Sequence, residues 1–392
     1  MIGGQFEARE YVERRTRVKA AMAQTGFDLL VLSDPANMDY LTGYKGWSFY
    51  VPQCVLVHAA EEKPIWIGRG QDAAAARLTT DLPESGIAAY PDDYVQNRTK
   101  HPMNFVADYI RGRGWASAVI GLEADAHYFS MRAGDALRHD LPDARFADCD
   151  RLVNWVRIVK SDAEVARMRE AARLVEGAMR VAIDRVVPGT RQCDAVADIY
   201  RAQIAGTPEF GGDYTALCPL LPTGAGTATP HLTWSDAPFG SGEATIIELA
   251  GSRQGYHCPM ARTVHLGKPP QRLADTAKIV VEGLHAALAA ARPGATCEQV
   301  EAAWRAVIAR HGIVKDSRIG YSIGLGYPPD WGEQTASLRP GDTTVLRPNM
   351  TFHCIPGVWQ DDWGIEISAA FRVTPSGAER FSDFPDELVV KP

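Results

Sequence analysis

The chain has 392 residues, 46% of them hydrophobic, enough to bury large cores in two domains. Lys and Arg number 41 against 48 Asp and Glu, a formal charge of −7 with no basic run, which argues against nucleic acid and anionic membrane as partners. Seven scattered cysteines without a C-x-x-C pair fit reduced thiols in a cytoplasm, not a disulfide framework or structural zinc. In chain order, the amino-terminal segment lacks the apolar core of a signal peptide, and Glu7 to Gln24 is amphipathic at helical period. No later run reaches the roughly 18 apolar residues of a membrane span. Phe27–Leu32 reads as a short buried strand ending in the turn Ser33-Asp34-Pro35. Val55–His58, Pro64–Ile67 and Ala118–Gly121 are further strands with helices between them, so residues 1–155 read as a small α/β domain.

A long helix is expected after Lys160, with Ser161 as N-cap and Glu164 three residues on, running to about Val187 before Pro188-Gly189. Helices follow near Cys193–Ala205, Gln271–Ala291 and Cys297–His311. Strand-rich segments occupy 214–221, 244–266 and 343–373. Helices grouped beside antiparallel strands make residues 156–392 an α+β domain. No solenoid period or low-complexity segment interrupts it.

Six segments in order carry a resemblance: NMDYLTGY at 37–44, VRIVKSDAEVARMREAA at 156–172, ATPHLTWSD at 228–236, GYSIGLGYP at 320–328, TFHCIPGVW at 351–359 and GIEISAAFRVT at 364–374. Together they resemble the creatinase/prolidase/methionine-aminopeptidase family over nearly the whole chain. The resemblance implies a creatinase-type N-terminal domain and a pita-bread catalytic domain. Metal-using members hold two ions with two Asp, one His and two Glu. The matching positions here are Glu248, Pro259, Tyr321, Ile355 and Ser368. Hard cations need oxygen-rich anionic ligand sets, so neither a metal nor another cofactor is expected.

A site rich in carboxylates suits amidines and guanidines, cations whose central carbon is already electrophilic. They need carboxylates to take their N–H groups and a base or nucleophile to bring oxygen to the carbon. Glu248, Asp330, Glu333, Asp361, Asp362 and Glu366 are the supply. Glu248 lies in the apolar run IIEL, where burial raises its pKa unless a cation pairs with it. Trp331 and Trp363 flank the acids and could hold a delocalised cation by a contact worth roughly 1–2 kcal/mol; core packing explains them equally well. The resemblance adds His231 as proton shuttle at the Pro-His position and Tyr321 as hydrogen-bond donor where the metal-binding His stood. Glu333, with Asp361 or Glu366, would fix the ring nitrogens. It also lets Trp47 and Phe49 close the pocket of a neighbouring subunit, or else cover a contact between domains. Arg262 reads as support for the site, and Cys258 has no dyad partner.

Creatine fits poorly, because Ala261 and Ile355 stand where creatinases grip the guanidinium with Glu. GYHCPMARTV, GYSIGLGYPPDWGE and QDDWGIEIS instead resemble a metal-free branch that opens the cyclic amidine ectoine. That implies hydrolysis of ectoine or 5-hydroxyectoine to N-acetyl-2,4-diaminobutyrate, a homodimer, and a downstream deacetylase to take the product. The rival expectations are an amidinohydrolase of a linear guanidine and a non-catalytic peptide-binding module.

Overall fold

Two apolar cores form on separate stretches of chain, and the protein divides into compact units ending at Arg157 and starting at Ile158. The structure, a computed structural model, describes residues 6–392; the first five residues of the amino-terminal segment lie outside the described residues.

In the first unit, α1 (Ala8–Thr25), β1 (Leu29–Leu32), α2 (Pro35–Thr42), β2 (Cys54–His58), β3 (Ile65–Arg69), α3 (Ala73–Thr79) and β4 (Ile87–Tyr90) come first. They are followed by α4 (Pro102–Gly112), β5 (Val119–Leu122), α5 (Met131–Asp140), β6 (Arg145–Asp148) and α6 (Leu152–Arg157). The mixed sheet runs β4-β3-β2-β1-β5-β6. Its central strands LLVL and CVLVH are apolar on both faces, as strands covered by helices must be. Ser33-Asp34-Pro35 is not a free turn. The Asp34 side chain accepts from the Ala36 N–H at 2.9 Å and Pro35 starts α2, so the stretch caps a helix. NMDYLTGY therefore lies on α2. Its Asn37 donates to Glu123 at 2.6 Å and to Asn154 at 2.7 Å, a buried polar cluster inside this unit.

The second unit comprises α7 (Asp162–Arg185), α8 (Gln192–Ala205), β7 (Ala244–Arg253), β8 (Tyr256–Leu266), α9 (Gln271–Ala290), α10 (Cys297–Ala309), β9 (Gly320–Tyr327) and β10 (Asp330–Ser337). Then come β11 (Thr351–Cys354), β12 (Gly357–Trp359), β13 (Gly364–Glu366), β14 (Ala369–Thr374), β15 (Gly377–Arg380) and β16 (Val389–Lys391). Ser161 and Glu164 form the reciprocal capping box at the start of α7. The sheet runs β15-β14-β11-β9-β8-β16, with β7 on β8 and β10 on β9, while β12 and β13 form a separate ribbon. Gln254 and Gly255 both take positive φ (53° and 81°), which closes the β7–β8 hairpin tightly and sets Glu248 opposite Ala261. Helices α9 and α10 bury Trp304 and an Ala/Leu/Val face against strands β11 and β14. Residues 214–219 and 343–350, expected as strand, are irregular; only isolated bridges at Leu220, Thr223, Val345 and Met350 remain.

Beside the first residues of α7, Lys160 Nζ donates to Glu333 on β10 at 2.6 Å, both side chains fully enclosed. Gly324 on β9 makes room for them, since a Cβ there would fall 2.6 Å from Glu333 Oε1. Removing one partner strands a buried charge. We expect Lys160→Met to cost about 3–5 kcal/mol in urea unfolding, and the double variant Lys160→Met/Glu333→Leu to recover most of that loss.

Candidate active site

Glu248 sits on β7, which pairs along its length with β8 and carries isolated bridges on its other flank. Its backbone pairs on one side with Ala261 and on the other with Leu220, whose N–H donates to Glu248 O at 2.8 Å. Ala261 shares its face of the sheet and leaves space beside the carboxyl. Glu366 is brought to the same face by Thr263: the Thr263 hydroxyl donates to Glu366 O and accepts from Glu366 N–H, both at 2.9 Å. Glu248 is 4% exposed and Glu366 0%, and among the described residues neither Glu366 carboxylate oxygen has a hydrogen-bond partner. Burial, then Asp330, raises Glu248 to about 8. Burial, then Glu248, pushes Glu366 well above the usual range, against the pull of Lys315. Buried and in each other's field, with the pull of Lys315 outweighed, the two acids are held toward their protonated forms.

Tyr321, near the start of β9, is held by a chain of donors. Ser368 Oγ accepts from the Ala261 N–H at 2.7 Å and meets His353 Nε2 at 2.8 Å; His353 Nδ1 lies 3.3 Å from the Tyr321 hydroxyl. Trp331 Nε1 donates to that hydroxyl at 2.9 Å. Burial depresses His353 to about 3, so its ring is neutral and carries one N–H. Only one assignment finds an acceptor for the serine hydrogen: Ser368 donates to Nε2, and Nδ1–H donates to Tyr321. The tyrosine oxygen then accepts twice, and its own hydrogen is left to point at a third group. Burial and the neighbouring Glu248 raise the phenol well above its usual range, so it keeps that hydrogen.

Glu248, Tyr321, Trp331 and Glu366 thus converge, joined by Asp330, Ser368 and His353. Other expected residues lie elsewhere. Glu333 is committed to Lys160. Asp361 is exposed on the β12–β13 turn, beside Asp362, which pairs with Arg272 at 2.8 Å. Trp363 packs on the α9/β-sheet core with the Arg272 guanidinium 5.4 Å from its ring centroid. His231 is exposed; its neighbour Leu232 accepts from the Leu221 N–H at 3.0 Å, which ties the loop beside the Glu248 strand. Trp47, in the first unit, is 53% exposed with its ring 4.6 Å from that of Phe49. Arg262 is a buried clamp, donating to Ser368 O, Pro385 O and Asp386. The Cys258 thiol is pushed up by burial and is no nucleophile. Sequence reasoning missed His353, which sits next to Tyr321 only through the β9–β11 register, and Lys315, a buried loop residue that no motif marks.

The Metallopeptidase family M24 model matches residues 166–375, and the Creatinase/Prolidase N-terminal domain matches 14–159. The chain belongs to metallopeptidase family M24. It is 47% identical to the ectoine hydrolase of Halomonas elongata, and 98% of each chain is covered. It is 43% identical to the uncharacterized hydrolase/peptidase y4tM of Sinorhizobium fredii, again with 98% of each covered. The dipeptidase PepE of Mycobacterium ulcerans shares the fold at a TM-score of 0.81, with 24% identity over 99% of both chains. A metallopeptidase family implies metal, but the side chains at the matching positions do not fit one. Pro259 and Ile355 offer no donor, Ser368 and Tyr321 are committed to His353 and Trp331, and Glu248 stands alone. Among the described residues no three His, Cys, Asp or Glu side chains are grouped to hold an ion.

The raised acid has a stability signature. Folded Glu248 keeps its proton to about pH 8, against an ordinary carboxyl value of 4.5. Between those values the folded state binds more protons than the unfolded chain, so this residue's penalty grows as pH rises through that window. Glu248→Gln should therefore raise Tm by at least about 2 °C at pH 8.5 and leave it unchanged near pH 4.5. An equal effect at both pH values would place Glu248 in an ordinary environment.

Proposed function

We propose that this protein hydrolyses a C–N bond of a cyclic amidine without metal, with ectoine ring opening as its reaction. The observation that carries the reading is the Glu366 carboxyl, buried with both oxygens unpartnered beside a second buried acid. An amidinium presents two parallel N–H groups and a positive charge, which is what a pair of dry carboxylates lacks. The 47% identity to an ectoine hydrolase supports the same substrate class, and the poor fit of the donor set to metal supports chemistry that needs none.

Binding of the cation reverses the local electrostatics, because an opposite charge favours the ionised acids. Glu366 then accepts the amidinium N–H groups. Glu248 brings oxygen to the amidine carbon, as base toward a water or as nucleophile in a covalent adduct that water later releases. The Tyr321 hydrogen, aimed by His353 and Trp331, stabilises the oxygen as negative charge builds on it. The departing ring nitrogen takes the proton, and exposed His231, on the loop tied beside the Glu248 strand, carries it. One water enters, one C–N bond breaks, and an amide and an ammonium group remain: N-acetyl-2,4-diaminobutyrate from ectoine.

Proton NMR of chelator-treated protein with ectoine should show ring opening, and Glu248→Gln and Glu366→Gln should each abolish it. Activity that appears only after manganese is added, on a proline dipeptide, would contradict the reading. We expect Tyr321→Phe to lower kcat by about 10²–10³ and His231→Ala by about 10²–10⁴. A loss below about tenfold for His231→Ala would remove that residue from the mechanism.

A further inference from the structure

The acids account for the cationic end of a substrate and leave one buried cation of the protein unexplained. Lys315, on the loop between α10 and β9, is only 7% exposed. Its Nζ donates to Ser317 Oγ at 2.7 Å and stands 4.2 Å from the centroid of the Trp359 ring. A lysine has three N–H donors, and among the described residues no carboxylate lies within ion-pairing reach of this one. Beside it, the Trp359 indole N–H is buried and has no acceptor among the described residues. Enclosing a charge and a donor with this little compensation is costly unless a ligand completes them.

Their placement ties them to the acid pair. In the β12–β13 register Trp359 lies opposite Gly364, and Gly357 opposite Glu366. The Trp359 ring folds across Gly357, where a Cβ would fall 2.3 Å from it, so ring and Glu366 side chain occupy the same face of the ribbon. Electrostatic influence runs in a row: Lys315 responds to Glu366, Glu366 to both Lys315 and Glu248, and Glu248 to Asp330. Acids stand at one end of this row, and an ammonium and an indole N–H at the other.

We propose that Lys315 and Trp359 Nε1 bind the carboxylate of the substrate, so that the site selects zwitterionic cyclic amidines over simple amidinium ions. This rests on the amidine reading above and assigns the other half of the recognition. A charge-assisted hydrogen bond from Lys315 and a neutral one from the indole would hold the acid group, with the ring face of Trp359 supporting the ammonium.

The test compares kcat/KM for ectoine and for 2-methyl-1,4,5,6-tetrahydropyrimidine, the same ring without its carboxylate, in the wild type, Lys315→Met and Trp359→Phe. The wild type should prefer ectoine by at least ~100-fold, and Lys315→Met should shrink that ratio by ~10- to 100-fold, chiefly through KM. Trp359→Phe keeps an aromatic ring but loses the indole N–H with the five-membered ring that carries it, so it should shrink the ratio by ~3- to 10-fold; it decides the matter if Lys315→Met does not fold. Turnover of both compounds by the wild type without preference would overturn this inference and leave the amidine reading standing. So would an unchanged ratio in the variants with both rates lowered, since Lys315 would then be a counter-ion of Glu366 alone. Turnover of neither compound by the wild type would sink the amidine reading, and this inference with it.

Discussion

The site depends on the cost of keeping carboxylates dry. Glu248 is fixed by hydrogen-bonded backbone on both flanks of its strand, and Glu366 is pinned to the same face through the Thr263 hydroxyl. Their neighbours raise the cost further, because each acid sits in the field of another. A pocket built this way stays protonated until a cation arrives, and then becomes a tight anionic clamp. On the proposed amidine reading, selectivity for a delocalised cation would follow from that switch.

Two of the positions that match the family's metal ligands, Ser368 and Tyr321, are joined through His353. Ser368, His353 and Tyr321 form a line of hydrogen bonds that begins at the Ala261 amide. His353 is kept neutral by burial, as a relay of fixed direction requires. Arg262 holds the far end by gripping Ser368 O and the segment around Pro385 and Asp386. The scaffold is stabilised apart from the chemistry, by the Lys160–Glu333 pair.

Much of the architecture was legible in the sequence because it is written in local signals. The capping box at Ser161 and Glu164, the period of α9 and α10, and the FDLLVL run each mark their own element. The family motifs pointed to both Glu248 and Tyr321, which lie 73 residues apart in sequence (321 − 248) and close enough in space for Glu248 to act on the Tyr321 phenol. The failures share a cause. Ser33-Asp34-Pro35 reads as a turn or as a helix cap by the same residues, and only the following α2 decides. The 343–350 segment has strand-like residues but pairs only through isolated bridges. Glu333 looked like a site acid because the lysine that neutralises it lies 173 positions away. His353 and Lys315 carried no motif at all; register and burial alone bring them in.

The most direct test is a count of protons. Acetamidinium, a bare amidinium head group, should be titrated calorimetrically into the protein near pH 7 in buffers of different ionisation enthalpy. If two buried acids hold their protons until the cation binds, about one proton or more per site should be released on binding, and Glu366→Gln should reduce that release. Binding with no proton release, unchanged in Glu366→Gln, would mean that these carboxyls are not the cation's partners, and the account of this site would fall.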